Sequence, residues 1–475
     1  MILQIKYISK YFYKKFYDSK KASAMFFCLV FSLSAYSGEI HYDCFSFVQE
    51  AMRKDPIVQE KRFSTQLKKE KLASLKAEAI LPSFSFYMLV GPAPGLRQEM
   101  NDKGNTVDVW DFKKMGPFWG TQVKAVQPLN LGQYRVGKKA IQADIHQHQF
   151  GIIQEEHKKE VELQSYYYNY LLALEMKRLA EDAQKQIDDA YIKLEDALDN
   201  DDPGVSQMDL LKLKSNMHVI QEGVSDANTG LKQVMLAIRF SLQLDSAFIF
   251  KTKDTTLNLR GETLYSLEKL QNIALKSHPE LKQLRIGLEA KSYQMDLAEA
   301  KLSPEFFIMG EFEYAKSWAG GRDGIQKDVF SEDVVNKLSG ALGFGLRYRL
   351  NFWSNWQKYK EAKVEYKSLK MKDKYAVNGI LLKLEEQYYK VSALKEKVEN
   401  LRNSQRASEA MLKGYAIQYD LDPSNPENLI SAYTQNVNLL KNYYFAICAY
   451  NIEFAELIYR TGLSYTEFYE TYVSK

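Results

Sequence analysis

Ala51-Met52-Arg53-Lys54-Asp55-Pro56 returns as Ala274-Leu275-Lys276-Ser277-His278-Pro279, and Ala77-Glu78-Ala79-Ile80-Leu81 returns as Ala298-Glu299-Ala300-Lys301-Leu302. About 220 residues separate the copies each time, far beyond the roughly 20–50 residues of a solenoid unit, so the chain holds one duplicated fold rather than an array. Each copy repeats one order of textures: a helix-like stretch, a strand that opens near a proline, a loop, a second strand, then two very long helices. The repeats span about 43–243 and 264–463.

The charge is nearly balanced, with 64 basic and 60 acidic residues in 475. Composition therefore gives no argument for a nucleic-acid partner. No Pro-, Gly- or Ser-rich linker divides the chain, so the two halves read as interlocked. Residues 1–37 read as an export signal: Lys14, Lys15, Lys20 and Lys21 precede an apolar run from Ala22 to Ala35, and Ala35-Tyr36-Ser37 supplies the small residues of a cleavage site. The alternative, an uncleaved anchor, would need a longer apolar run. The mature chain is then 38–475, with Cys44 and Cys448 as its two cysteines. They are read as separate buried thiols, with a bridge as the alternative.

Four segments alternate as barrel strands do, at about 83–90, 120–129, 306–314 and 338–350. In the last, Leu342, Phe344, Leu346 and Tyr348 share one face, and Gly343, Gly345, Arg347 and Arg349 the other. Phe306, Ile308, Phe312 and Tyr314 oppose Glu311 and Glu313, while Val123 and Ala125 oppose Gln122 and Lys124. One face suits lipid and the other water, and the water-facing candidates are Gln122, Lys124, Glu311, Glu313, Arg347 and Arg349. The segment from Ser83 to Val90 is apolar on both faces and is the weakest of the four. Phe118, Trp119, Trp318, Phe352, Trp353 and Trp356 gather near strand ends, where a membrane barrel carries its aromatic girdles. Four strands cannot close such a barrel, since about eight are needed, so several chains must contribute.

The stretches from Gln133 to Leu198 and from Ser354 to Tyr419 contain no proline and predict helices of about 100 Å each. Each is followed by a second helix with a 3,4 spacing of mainly apolar residues. The first series runs Leu210, Leu213, Met217, Ile220, Val224, Ala227, Leu231, Val234, Ile238. The second runs Ile430, Tyr433, Val437, Leu440, Tyr444, Ile447, Asn451, Phe454, Ile458, interrupted only by Asn451. A strict seven-residue repeat implies left-handed supercoiling on a neighbour. Breaker-rich turns at 199–204 and 420–426 join the helices of each pair.

An exported chain with this duplicated order resembles the TolC family of outer-membrane efflux and secretion channels. The resemblance rests on Ala-x-x-x-Asp-Pro at 51–56 and its echo at 274–279, on Leu81-Pro82-Ser83, and on Gln127-Pro128-Leu129. It rests also on the segments beginning Val205-Ser206-Gln207 and Pro426-Glu427-Asn428. It implies an α+β, mostly α protomer with four membrane-barrel strands and long coiled-coil helices. Three such chains would form a β-barrel and α-barrel channel. The implied role is a passive exit conduit in the outer membrane of a Gram-negative-type cell, with its helices in the periplasm. It would be driven by an inner-membrane pump reached through a periplasmic adaptor, and its partners would include outer-membrane lipid and no nucleic acid. The rival reading is an exported coiled-coil stalk, which explains the heptads but not the strands.

Family channels close at the tip of the second hairpin, often with acidic rings. Here Asn428 and Ser431 occupy the matching positions, with Asp209 in the first copy, while Asp420, Asp422 and Glu427 lie nearby. These six are the gate candidates. The acids form either a ring in the trimer or the ordinary caps of a solvated turn. No phosphate loop, nucleophile elbow or helical metal pair appears, and neither enzymatic activity nor a cofactor is expected. The clusters Tyr166-Tyr167-Tyr168 and Tyr443-Tyr444 are read as helix packing.

Overall fold

The computed structural model describes residues 41–100, 102–104, 106–200, 206–244, 250–260, 264–319, 336–348, 350, 352–421 and 426–473. The proposed export signal lies outside them. The first copy comprises β1 (His41–Tyr42), α1 (Cys44–Lys54), α2 (Pro56–Ile80), β2 (Ser83–Met100), β3 (Thr106–Pro128), α3 (Leu131–Asp199) and α4 (Gln207–Leu242). The second comprises β4 (Lys251–Thr252), α5 (Leu267–Ser277), α6 (Pro279–Ala300), β5 (Glu305–Ser317), β6 (Lys337–Arg347), α7 (Phe352–Leu421) and α8 (Pro426–Thr461). A short α9 (Tyr465–Phe468) and a π-helical turn (Tyr469–Val473) follow.

The repeated hexapeptide has a mechanical meaning. A residue before proline is driven out of the helical region, and proline is well suited to a helix's first position, so X-Pro breaks one helix and starts the next. Asp55 (φ −63°, ψ 121°) and His278 (φ −57°, ψ 118°) take nearly the same extended geometry at the two breaks. Each then caps the new helix. Asp55 Oδ1 accepts from the backbone N–H of Ile57 at 2.9 Å and Val58 at 3.0 Å, and His278 Nδ1 accepts from Glu280 at 3.3 Å.

The strands form one antiparallel sheet in the order β2-β3-β5-β6. Its register pairs Val123 with Phe312, Ile308 with Phe344 and Phe306 with Leu346, which gathers the apolar residues on one face. The first two strands run well past their expected ends: β2 continues from 90 to Met100, and β3 begins at Thr106 rather than 120. Pro92 and Pro117 face each other in this extension; Pro92 is on the outer strand, and Pro117 takes part through its carbonyl, which accepts the N–H of Trp318 at 2.9 Å. At the other side, β6 stops at Arg347, short of the expected 350. Segment 83–90, read as apolar on both faces, is sorted by its partner: Phe84, Phe86 and Met88 pair with Ala125, Val123 and Thr121 on the apolar face, and Ser83 and Ser85 fall on the other.

Helices α3 and α7, of 69 and 70 residues, rise about 1.5 Å per residue and so extend about 100 Å from the foot of the sheet. Below the sheet the packing order is α2 on α3, α3 on α6 and α6 on α7; farther down, α4 pairs with α3 and α8 with α7. The heptad series are the packed stripes. In α4 every member from Leu210 to Ile238 is buried or half-buried, while Leu211, Val219, Leu236 and Phe240 stay exposed. Near the hairpin ends, Ile187, Leu194 and Leu213 form a small core.

The main core is a waist midway along the long helices. Phe47 and Phe250 meet edge to face at 5.4 Å, and Tyr170 meets Phe250 likewise at 5.1 Å. Tyr167 and Tyr168 are buried here as helix packing, with Tyr167 Oη donating to Asp254 at 2.5 Å and Tyr170 Oη to the Phe250 carbonyl at 3.0 Å. Strands β1 and β4 add a two-residue parallel pair that ties the start of one copy to the start of the other. Cys44 and Cys448 are free thiols, and burial pushes that of Cys448 up to about 12.

Candidate functional site: a two-faced sheet and the hairpin tips

Antiparallel pairing places directly opposed residues on the same face, so the register decides which charges meet. Gln122 opposes Glu313 and Lys124 opposes Glu311. Gln122 crosses diagonally, its Nε2 donating to Glu311 at 2.5 Å, while Lys124 Nζ lies 3.9 Å from the other oxygen of its direct partner Glu311. Lys337 closes on Glu313 at 2.7 Å, and Arg347 grips Glu305 through Nε at 3.0 Å and Nη2 at 2.7 Å. Glu305, Glu311 and Glu313 are therefore each paired with a cation. Phe307 lies over Gly345, where a Cβ would come within 2.4 Å of the ring, and Arg347 stands 5.9 Å above that ring. Arg349 lies outside the described residues.

The opposite face is apolar and open. Leu342 is 83% exposed, and Phe84, Phe86, Phe312, Phe344 and Leu346 are also exposed, with Phe306 and Phe344 stacked at 5.8 Å. An apolar band across a whole sheet far exceeds the patches that soluble surfaces carry. It has the alternation of a lipid-facing barrel wall.

Of the gate candidates, Glu427, Asn428 and Ser431 are exposed at the start of α8. Glu427 lies 3.5 Å from Lys212 of α4, so the first hairpin supplies a cation to the second. Both partners are largely exposed, which limits the pair's contribution to about 0–1 kcal/mol. Asp422 and the side chains of Asp209 and Asp420 lie outside the described residues. Sequence reasoning missed Lys212, Glu305 and Lys337. The last two flank the expected strand limits, and only the register reveals their partners.

A polar knot lies at the waist, where the C-terminal segment crosses α3. His157 Nε2 lies 3.8 Å from Glu467, and Glu160 accepts the backbone N–H of Tyr465 at 3.2 Å. Burial raises the Glu160 carboxyl to about 7 and lowers His157. Burial, helped by Arg460, His157 and Lys383, lowers His278 to about 4.

A duplicated chain with a two-faced four-stranded sheet set on paired 100 Å helices defines a class: this is the fold of the TolC-type outer-membrane channels. Residues 270–420 match the outer membrane efflux protein family. The chain is similar to the CmeC outer-membrane channel of Campylobacter jejuni, with TM-score 0.71 and 12% identity over 88% of this chain and 85% of that one. It is similar to the open-state MtrE outer-membrane channel of Neisseria gonorrhoeae, with TM-score 0.70 and 12% identity over 88% of each chain. It is also similar to CusC, solved in a study of folding and transmembrane channel formation, with TM-score 0.69 and 12% identity over 90% of this chain and 95% of that one. No curated protein matches the chain by sequence.

Proposed function

We propose that this protein is the exit duct of an efflux or secretion system, three copies closing into one channel through the outer membrane and periplasm. The observation that carries the reading is that sheet and helix layers are both open at matching edges. In the sheet, β2 and β6 are the outer strands, with pairing on one side only among the described residues. In the helix layer below it, α2 and α7 are the outer members. The unpartnered flank of α7 carries Val364, Met371 and Tyr375, the last 81% exposed, and α2 carries Phe63 and Leu67, both exposed. Lipid does not tolerate an unpaired strand edge, and closure by further copies removes the sheet edges and covers the apolar helix flanks together.

In the closed ring the charged sheet face lines a water-filled lumen and the apolar face meets lipid. Because Glu305, Glu311 and Glu313 each hold a cation, the wall presents no unpaired carboxylate among these three, and cation selectivity falls to the hairpin tips. There Asp420, Asp422 and Glu427 would converge from three chains. Transport is passive, with energy from an inner-membrane pump engaged through a periplasmic adaptor. The test is reconstitution of the full chain: a three-chain mass in detergent together with discrete single-channel currents in planar bilayers. A monomer that conducts nothing would refute the reading.

A further inference from the structure

A cavity of about 300 Å³ lies where the sheet meets the helices, lined among others by Lys301, Ser303, Arg347, Phe352, Asn355 and Lys358. Arg347 and Glu305 place it on the charged face of the sheet. Its charges are unbalanced. Glu305, the cavity's one carboxylate among the described residues, is already gripped by Arg347. Lys301 and Lys358 reach the cavity from exposed positions, and neither has an ion-pair partner among the described residues.

Ordinary helix electrostatics does not account for the lysines. A cation at Lys301 would suit the carbonyl end of α6, but those carbonyls are already served: Gln133 Nε2 donates to Ala300 at 3.2 Å and Asn355 Nδ2 to Lys301 at 3.4 Å. Lys358 sits in the second turn of α7, far from the helix's carbonyl end, so the helix gives no reason for a cation there. The first turns of both α7 and α3 carry no acid. Two helix starts and three cationic side chains thus surround one small space whose remaining wall includes Phe352 and Leu302.

We propose that this cavity is an anion subsite on the channel wall. It would take the phosphate or carboxylate of an amphipathic cargo molecule whose apolar body rests on Phe352 and Leu302. The proposal rests on the reading of the charged sheet face as lumen. It places a cationic step at the foot of the barrel, repeated in every copy around the ring.

The test is calorimetric titration of the purified full-length protein with phenyl phosphate, with phenol as the uncharged control, alongside single-channel recording. One phenyl phosphate is expected to bind per chain, with no binding of phenol. Lys301→Gln with Lys358→Gln should weaken binding at least about tenfold, the loss expected when charge-assisted contacts are removed. Glu305→Gln, which frees Arg347, should tighten it, and this variant decides the matter if the double variant does not assemble. Absent saturable binding, or binding indifferent to both sets of changes, overturns the subsite even where conductance is normal. Binding of short-chain phosphatidylglycerol in place of phenyl phosphate assigns the cavity to lipid and overturns the cargo reading. Loss of conductance in the unmodified protein speaks instead against the channel itself.

Discussion

Asn451 holds the linker between the two copies: its Oδ1 accepts the backbone N–H of Arg260 at 3.1 Å, and its Nδ2 donates to the Asn258 carbonyl at 2.9 Å. The one amide in the α8 heptad series is fully buried and is spent on an irregular stretch nearly two hundred residues away. Asn451→Leu should restore the apolar seam yet destabilise the waist, because two backbone groups lose their partner at about 1–3 kcal/mol each. Limited trypsin digestion should show faster cutting after Lys253 or Arg260. Unchanged digestion would mean that water replaces the amide at no cost.

Gly462 ends α8 with φ +82°, and a Cβ there would lie 2.3 Å from the Cα of His278. Only glycine both adopts this conformation freely and admits that backbone. Gly462→Ala should cost more than about 2 kcal/mol, through strain and through displacement of the segment crossing α3. A lowered melting temperature, with earlier loss of the C-terminal residues to carboxypeptidase, is the expected result.

His278 supplies a pH slope of known sign. Its native pKa, about 4, is below the usual histidine value, so between roughly pH 6.5 and 4 the unfolded chain binds a proton that the folded one refuses. The stability present above pH 6.5 is lost as pH falls through that window. Asparagine keeps a side-chain acceptor for the N–H of Glu280 but cannot titrate. Melting of wild type and His278→Asn at pH 8, 6 and 4.5 should show the variant gaining on wild type as the medium acidifies. A constant difference between them would remove His278 from the acid response.

The sheet faces make a paired prediction. Phe344→Arg directs a charge into the apolar face, at a cost of about 2–4 kcal/mol near the middle of a bilayer, and should abolish heat-modifiable assembly. Arg347→Leu leaves Glu305 without its cation on the other face and should assemble normally with altered conductance and ion preference. Equal assembly of both variants would contradict the assigned facing.

The long helices were legible almost to the residue: 133–198 and 354–419 were expected, against α3 at Leu131–Asp199 and α7 at Phe352–Leu421. Long periodic segments repeat their signal many times, so local exceptions do not obscure them. The β2–β3 extension was hidden because Gly91-Pro92-Ala93-Pro94-Gly95 has the composition of a turn, while the paired ribbon has only to place its prolines where no partner N–H is needed. Strands β1 and β4, of two residues each, are too short to show any period. The charged face was legible as Gln122, Lys124, Glu311 and Glu313, but not its ion pairs. Ion pairing depends on the register between strands up to 189 residues apart, and a single sequence carries no register.

Under the proposed three-chain closure, the open edges on β2 and β6 make completion of the wall a collective property of the chains that share it. In a cell that makes intact and edge-damaged copies together, a single damaged member breaks the seam of the whole assembly. Lesions at these strands would thus act dominantly, silencing sound neighbours, whereas those confined to the waist weaken mainly the chain that carries them.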